Sequence, residues 1–303
     1  MKILVASSAA VGIPILNHLL SRQEVIGVIT AADKPKGRGR NLTPNDFSHF
    51  CESLELVIYK PNNHEELNSL LRELAPDLVV TVAYGRLIKP DELAIPKNGW
   101  LNVHFSLLPK WRGAAPVQYS ILHGDSITGV TVFKLDEGMD TGPIYAQGKY
   151  EMQGDETTGS LLEKLSYLSL GALDEALAKI ANHQPPTPQI ESGASLAPKI
   201  LKADGRLNWI NDSASLERKI RALNPWPGAW TELTEKKLQI LKARLAERIE
   251  ISDPGRLIID NGVFVVTKDG ALELLEVKPE GRKSMRADEW ARGLQNHKGL
   301  RFV

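Results

Sequence analysis

The first 180 or so residues alternate short apolar runs with segments of helical periodicity, and no other feature restricts the fold of this chain so strongly. Runs of strand length occur at Ile3 to Ala6, Val25 to Thr30, Leu56 to Tyr59, Leu78 to Ala83 and Gly99 to His104. Between them lie helical patterns at Ile13 to Ser21, around Phe47 to Glu52, and at Glu65 to Leu74. Strand and helix in regular alternation predict an α/β fold: an open, mostly parallel, Rossmann-like sheet with helices on both faces. Val130 to Leu135 and Ile144 to Tyr150 read as two further strands, and Leu161 to Ile180 as a long periodic helix. Ligands of such sheets bind beyond the carboxyl ends of the strands, so the residues just after each run are where chemistry is expected.

A chain of 303 residues has room for two domains. The segment His183-Gln184-Pro185-Pro186-Thr187-Pro188 has the composition of a linker. After residue 204 the pattern changes to a helix (Ala214 to Leu223), the turn Asn224-Pro225-Trp226-Pro227-Gly228, and short strands. Asn261-Gly262 joins Leu257 to Ile259 with Val263 to Thr267, and Asp269-Gly270 joins that run to Leu272 to Val277. Both dipeptides favour tight hairpins. Short antiparallel strands within about 100 residues predict a small OB-like β-barrel, a shape often used to bind nucleic acid. Arg286 to Asn296 reads as a closing helix. The expected division is therefore 1–182, a linker at 183–203, and a C-terminal barrel at 204–303.

The hydrophobic share of 42% and charged share of 24% are those of a soluble globular protein. The single cysteine, Cys51, excludes an intrachain disulfide and fits a reducing compartment, so a cytoplasmic location is expected. No run approaches the roughly 20 apolar residues of a membrane helix. The stretch after Met1-Lys2 has some features of a secretory signal, but it reads better as a buried strand (Lys2 to Ala6), a turn (Ser7 to Gly12) and a helix (Ile13 to Leu20). Net charge is zero, yet unevenly spread. Residues 1–195 carry 17 Lys+Arg against 22 Asp+Glu, and residues 196–303 carry 20 against 15. A net charge of zero by itself argues against a nucleic-acid partner, but this modest asymmetry, which places positive charge on one end of the molecule, does not.

Several chemistries are excluded. The seven histidines and one cysteine show no metal-ligand spacing, so no metal is expected. The first strand-to-helix turn, Ser7-Ser8-Ala9-Ala10-Val11-Gly12, lacks the glycine pattern of a dinucleotide site. Gly124-Asp125-Ser126-Ile127-Thr128 ends in Thr where a nucleophile elbow needs Gly, and no P-loop is present.

What remains points to acyl transfer. Asn102 and His104 stand at i and i+2 in a strand-forming run, so both side chains project from one face. An amide donor beside an imidazole suits a developing oxyanion, and a carboxylate from another loop can orient the imidazole. Asp140, between Gly138 and Gly142, offers such a carboxylate. Taken alone, Asn-x-His describes any hydrogen-bonded strand end equally well, and Asp140 could be plain turn chemistry. Ser106-Leu107-Leu108-Pro109, closed by Lys110-Trp111-Arg112-Gly113, would wall a flat heteroaromatic ligand or simply make a rigid connection. Lys34-Pro35-Lys36-Gly37-Arg38-Gly39-Arg40 is a basic, glycine-bearing loop, either ordinary solvated surface or an arm that orders on phosphates.

At these residues the chain resembles the methionyl-tRNA formyltransferases. The resemblance rests on Val82 to Gly85, Asn102-Val103-His104, Ser106 to Pro109, Trp111 to Gln118, Thr128 to Thr131 and Asp136 to Gly142. It continues through the basic loop and Leu223 to Ala229, so it is essentially end to end. The wider superfamily, with sugar-nucleotide formyltransferases and formyltetrahydrofolate hydrolases, shares the Asn, His and Asp arrangement, and both stay open as alternatives. The chain departs from the family at Ser7 to Gly12, where a Gly-Thr-Pro-like turn with an aromatic is usual, and at Arg86, where an apolar residue is expected.

The resemblance implies formyl transfer from 10-formyltetrahydrofolate, a cosubstrate and not a tightly bound cofactor, to the α-amine of methionyl initiator tRNA. It implies Asn102, His104 and Asp140 as the catalytic residues. Ser106, Leu107, Leu108 and Pro109, together with Tyr84, Gly85, Leu87 and Ile88, would line the folate site. Lys36, Arg38 and Arg40 would meet the tRNA acceptor stem, with further contacts from the C-terminal domain of a monomeric enzyme.

Overall fold

The computed structural model describes residues 1–36, 41–246, 253–294 and 299–303. Two compact units are present. The first comprises Met1–Pro116, Ile127–Glu151 and Leu162–Ala197, and the second Val117–Ser126, Met152–Leu161 and Pro198–Val303.

The chain opens with β1 (Lys2–Ser7), α1 (Ile13–Leu20), β2 (Glu24–Ile29), β3 (Lys34–Lys36), β4 (Asn41–Thr43), α2 (Asp46–Ser53), β5 (Ile58–Tyr59), α3 (His64–Leu74), β6 (Leu78–Val82), α4 (Pro90–Leu93) and β7 (Trp100–His104). There follow α5 (Pro116–Leu122), β8 (Ile127–Lys134), β9 (Ile144–Glu151) and α6 (Thr158–Ala181). One seven-stranded sheet runs β5-β2-β1-β6-β7-β8-β9. From β5 to β7 the pairs are parallel, and β8 and β9 add antiparallel to that edge. The predicted mostly parallel sheet with helices is the fold of this unit.

Strand burial explains the sequence pattern. Residues Ile3 to Ser7 of β1 and every residue of β6 are buried, which is why these strands read as unbroken apolar runs. On β9, at the edge, exposed and covered residues alternate instead. Two helices of this unit start at an asparagine that caps their first N–H groups. The Asn45 and Asn63 side chains accept from Ser48 N–H (2.9 Å) and Glu66 N–H (2.8 Å) at the entries to α2 and α3. Leu4, Ala6, Ile29, Leu67, Leu71, Val79 and Trp100 form a core cluster of this unit. Each such aliphatic side chain contributes about 1.5–3 kcal/mol by its burial.

The residues that flank the tip of the basic segment after β2 form a short ladder. β3 and β4 pair antiparallel through Lys34–Thr43, Pro35–Leu42 and Lys36–Asn41, because main-chain bonding needs no apolar anchor. Residues 37–40 at its tip lie outside the described residues.

The second unit holds α7 (Ser213–Ala222), β10 (Ala229–Leu233), β11 (Lys236–Leu245), β12 (Leu257–Ile259), β13 (Val263–Val266), β14 (Ala271–Pro279), β15 (Met285–Arg286) and α8 (Ala287–Arg292). Its six strands form an antiparallel sheet, ordered β10-β11-β14-β13-β12, with β15 on β14. Phe302 lies between Trp209 and Trp290, with ring centroids 5.7 and 6.1 Å away and planes within 22°. This stack sits in the apolar core of the unit.

Candidate active site

β7 delivers two polar side chains to the carboxyl end of the parallel sheet. Asn102 is paired with Thr81 on β6 and Phe133 on β8, and His104, the last residue of the strand, with Thr131. Both face the same way, as their spacing requires. The Asn102 side chain is half-buried and has no hydrogen-bond partner among the described residues. An amide is seldom left so, since a covered polar group without a partner costs about 1–3 kcal/mol.

His104 is buried, and Phe133 meets its ring edge-on at 6.4 Å between centroids. Its Nε2 donates to the main-chain carbonyl of Trp111 at 2.9 Å. A carbonyl only accepts, so Nε2 carries the proton and Nδ1 is left to face the carboxylate of Asp140. Nδ1 and Asp140 Oδ2 are 3.7 Å apart, an ion-pair distance longer than a direct hydrogen bond. Burial holds the imidazole below its ordinary pKa, while the Asp140 carboxylate and the bond to Trp111 oppose that shift. A neutral imidazole near a carboxylate can take up a proton and hold it.

Asp140 comes from the loop between β8 and β9. Its backbone is left-handed (φ 53°), and its Oδ2 accepts the Gly113 N–H at 2.8 Å. Gly142 makes the loop possible, because a side chain there would run into the Lys134 carbonyl. Of the three residues expected, His104 and Asp140 thus face each other, and Asn102 lies two residues back on the same strand face.

The Ser106 to Pro109 turn is pinned from the sheet. Thr131 Oγ1 donates to the Ser106 carbonyl (2.7 Å) and accepts from Leu108 N–H (3.0 Å), while Gln147 Nε2 donates to the Leu108 carbonyl (3.0 Å). Ser106 Oγ itself donates to the Lys110 carbonyl at 2.5 Å. The segment after β6, next to β7 in the sheet, brings Tyr84, Gly85, Leu87 and Ile88. Tyr84 and Ile88 are buried in the core cluster, Gly85 is left-handed (φ 74°), and Leu87 is 76% exposed. Arg86 does not disturb this segment, since its Nη1 donates to the Pro61 carbonyl at 2.9 Å. The small residues Ser8, Ala9 and Ala10 of the first turn line a cleft of 400 Å³ with Ala32, Pro35 and Asn45.

Of the cations expected to meet RNA, Lys36 ends β3, and Arg38 and Arg40 lie outside the described residues. Residues that sequence reasoning passed over are Gln147, Gln189 and Ser195, while Thr131 enters it only as part of a motif, without its role. Each acts through hydrogen bonds to main-chain atoms, and such bonds leave no motif of their own.

Comparison with known proteins gives the arrangement a context. Residues 1–177 match the formyl transferase family model, and residues 199–295 match that of the formyl transferase C-terminal domain. Methionyl-tRNA formyltransferase from Salinispora tropica is 38% identical over 306 residues, covering 97% of each chain. The Streptomyces coelicolor protein of the same name is 39% identical over 308 residues, covering 99% of each. Among solved structures, HypX from Aquifex aeolicus in complex with tetrahydrofolic acid superposes with a TM-score of 0.66 at 20% identity, over 97% of this chain and 47% of that one. Methionyl-tRNA formyltransferase from Clostridium thermocellum superposes with a TM-score of 0.59 at 16% identity, over 81% and 94%. At full length and close to 40% identity, this chain belongs to the methionyl-tRNA formyltransferase family.

Proposed function

We propose that this chain transfers the formyl group of 10-formyltetrahydrofolate to the α-amine of methionyl initiator tRNA, in the cytoplasm and as a monomer. The observation that carries the chemistry is a half-buried, unpartnered Asn102 amide on the same strand face as a buried His104 with Asp140 at 3.7 Å. Addition of the amine to the formyl carbon gives a tetrahedral oxyanion, which collapses as the folate N10 leaves.

Asn102 donates to that oxyanion, which explains an amide held without a partner. His104 stabilises the same centre and moves protons, and Asp140 holds the imidazolium that forms and helps take the amine proton. None of these steps needs a covalent enzyme intermediate. The pinned Ser106 to Pro109 turn forms one wall for the pterin, with Tyr84, Gly85, Leu87 and Ile88 contributing the segment beside it.

Lys36, Arg38 and Arg40 meet the acceptor stem, and residues 204–303 meet phosphates elsewhere on the tRNA. The C-terminal sheet acts here as an OB-like barrel. That reading is supported by the last residues of the chain, which bond to both end strands: Val303 N–H donates to Glu232 of β10 (3.1 Å), and Leu257 N–H of β12 donates to Leu300 (2.9 Å).

The test is formylation of charged initiator tRNA by 10-formyltetrahydrofolate, with elongator methionyl-tRNA alongside. The initiator should be formylated rapidly. Asn102→Ala should fold normally and lose about 100- to 1,000-fold in rate, the usual cost of one oxyanion donor; Asp140→Ala should also be nearly inactive. Slow release of formate without transfer would replace this reading with a hydrolase, and near-wild-type rates in either variant would remove the assigned roles.

A further inference from the structure

Two residues on which His104 depends have a backbone that non-glycine side chains avoid. Trp111, whose carbonyl accepts from His104 Nε2, has φ 63°, and Asp140, which faces Nδ1, has φ 53°. Such conformations persist only where the surroundings over-determine them, and they concentrate at functional sites. Both are held from the same stretch of chain.

Thr187 starts this stretch by pairing with Ile144 at the head of β9, through two main-chain bonds of 2.7 and 2.8 Å. The Gln189 amide then donates to the carbonyls of Asp140 and Gly142, each at 2.8 Å. Its oxygen accepts from Arg112, at 3.1 Å from Nε and 2.8 Å from Nη2. Glu191 closes the other side of the Arg112 guanidinium with contacts of 3.1 and 2.9 Å. Farther on, Ser195 Oγ accepts the Trp111 N–H at 3.0 Å, and the Ser195 carbonyl accepts the Arg112 N–H at 2.8 Å. Ala197 bonds with Arg112 and Ala115, and it runs so close that a Cβ at Gly113 would meet its carbonyl at 2.7 Å. Gly113 is the residue whose N–H holds the Asp140 carboxylate.

We propose that residues 187–197 are a positioning strap for catalysis, in which Gln189 holds Asp140 and Ser195 holds Trp111 in the left-handed conformations that present a carboxylate and a carbonyl to His104. The composition of this segment suits a connector, yet its side chains bond to the main chain of both residues that face the imidazole, Asp140 and Trp111. The strap touches no substrate. It rests on the roles proposed above for His104 and Asp140, and it adds the residues that keep those two groups in register.

Gln189→Glu separates positioning from attachment. A glutamate still accepts from Arg112, so the strap stays anchored, but it offers no N–H to the Asp140 and Gly142 carbonyls. Steady-state formyl transfer by the full chain should show kcat reduced by roughly 10- to 100-fold, the scale on which misplacement by about 1 Å acts. KM for folate and for tRNA should stay within about twofold of wild type, which loss of the folded site would not allow. Ser195→Ala should lower kcat in the same manner, and Ser195→Thr, which keeps the hydroxyl, should restore it. Wild-type kcat in Gln189→Glu, or a loss in Ser195→Ala that the threonine does not rescue, overturns the strap. Measured beside Asp140→Ala, the two readings separate. An inactive Asp140→Ala with a fully active Gln189→Glu removes the strap alone, whereas an active Asp140→Ala removes the catalytic reading on which it rests.

Discussion

His104 is the residue whose protonation decides what the site can do, and its surroundings set that protonation. Burial disfavours the imidazolium, while Asp140 at 3.7 Å and the bond to the Trp111 carbonyl favour it. The balance falls below the ordinary 6.5 of a histidine, so the ring is neutral near pH 7, the state the proposed proton uptake needs. The consequence for stability has a definite sign. In the unfolded chain the same ring protonates at its ordinary value, before the folded one does. Stability linked to His104 is therefore complete above about pH 6.5 and is lost as pH falls from there toward the lower folded value. Replacing His104 by glutamine should flatten unfolding free energy against pH between about 7.5 and 5, relative to wild type. The ring can also be followed directly by NMR. Its midpoint should lie below the ordinary value, and in Asp140→Asn it should move lower still, because the carboxylate that favours the charged form is gone. A midpoint at or above the ordinary value, or an upward move in Asp140→Asn, would contradict the electrostatics described here.

Among the elements, legibility followed physical cause. β1 and β6 were readable because a strand covered on both faces must be apolar throughout. The β12–β13 hairpin was readable because Asn261 (φ 45°) beside Gly262 suits the left-handed turn the strands require. The β10–β11 hairpin is tighter, with a two-residue turn in which both residues are left-handed, and it carries no such mark, since Thr234 and Glu235 occupy it with φ 47° and 65°. Thr234 is β-branched and badly suited to that backbone. Changing the pair to Asn-Gly should therefore stabilise the C-terminal unit by about 1–2 kcal/mol, even after loss of the Thr234 hydroxyl bond to the Leu233 carbonyl. Both residues are exposed, so no packing is lost. The check is urea unfolding, in which the midpoint should rise without a change in slope; an unchanged or lower midpoint would mean that the turn is not strained. The site divides in the same way. The i, i+2 spacing puts Asn102 and His104 on one strand face and glycines flank Asp140, but it is the resemblance to a known family that singles these residues out. Gln189 and Ser195 are silent, since a side chain bonded to distant main-chain carbonyls or N–H groups has no periodicity, and the prolines before them read only as a connector.

For the molecule as a whole, charge is neutral in sum but not in distribution. Residues 1–195 carry 17 Lys+Arg against 22 Asp+Glu, and residues 196–303 carry 20 against 15, so the C-terminal part bears a net positive balance. A polyanionic acceptor should be drawn to that part and to the basic segment Lys34 to Arg40, while the proposed folate wall, Ser106 to Pro109 and Tyr84 to Ile88, carries a single charge, Arg86, which is bonded to the Pro61 carbonyl. Salt should therefore separate the two substrates. Binding that displaces counterions from RNA weakens with a log–log slope of about −0.7 to −0.9 for each phosphate neutralised. The apparent affinity for initiator tRNA should fall with a slope of about −3 or steeper between 50 and 200 mM salt, equivalent to roughly four phosphate contacts. KM for the folate should change little over the same range. Converting Arg38 and Arg40 together to alanine should make the tRNA slope shallower by about 1.5 to 2 and raise KM for tRNA, with folate binding and the melting temperature unchanged. An unaltered slope in that variant would make the basic segment ordinary solvated surface and leave the whole electrostatic attraction to the C-terminal part. A wild-type slope near zero would go further, because the positive C-terminal part would then have no role in holding the RNA.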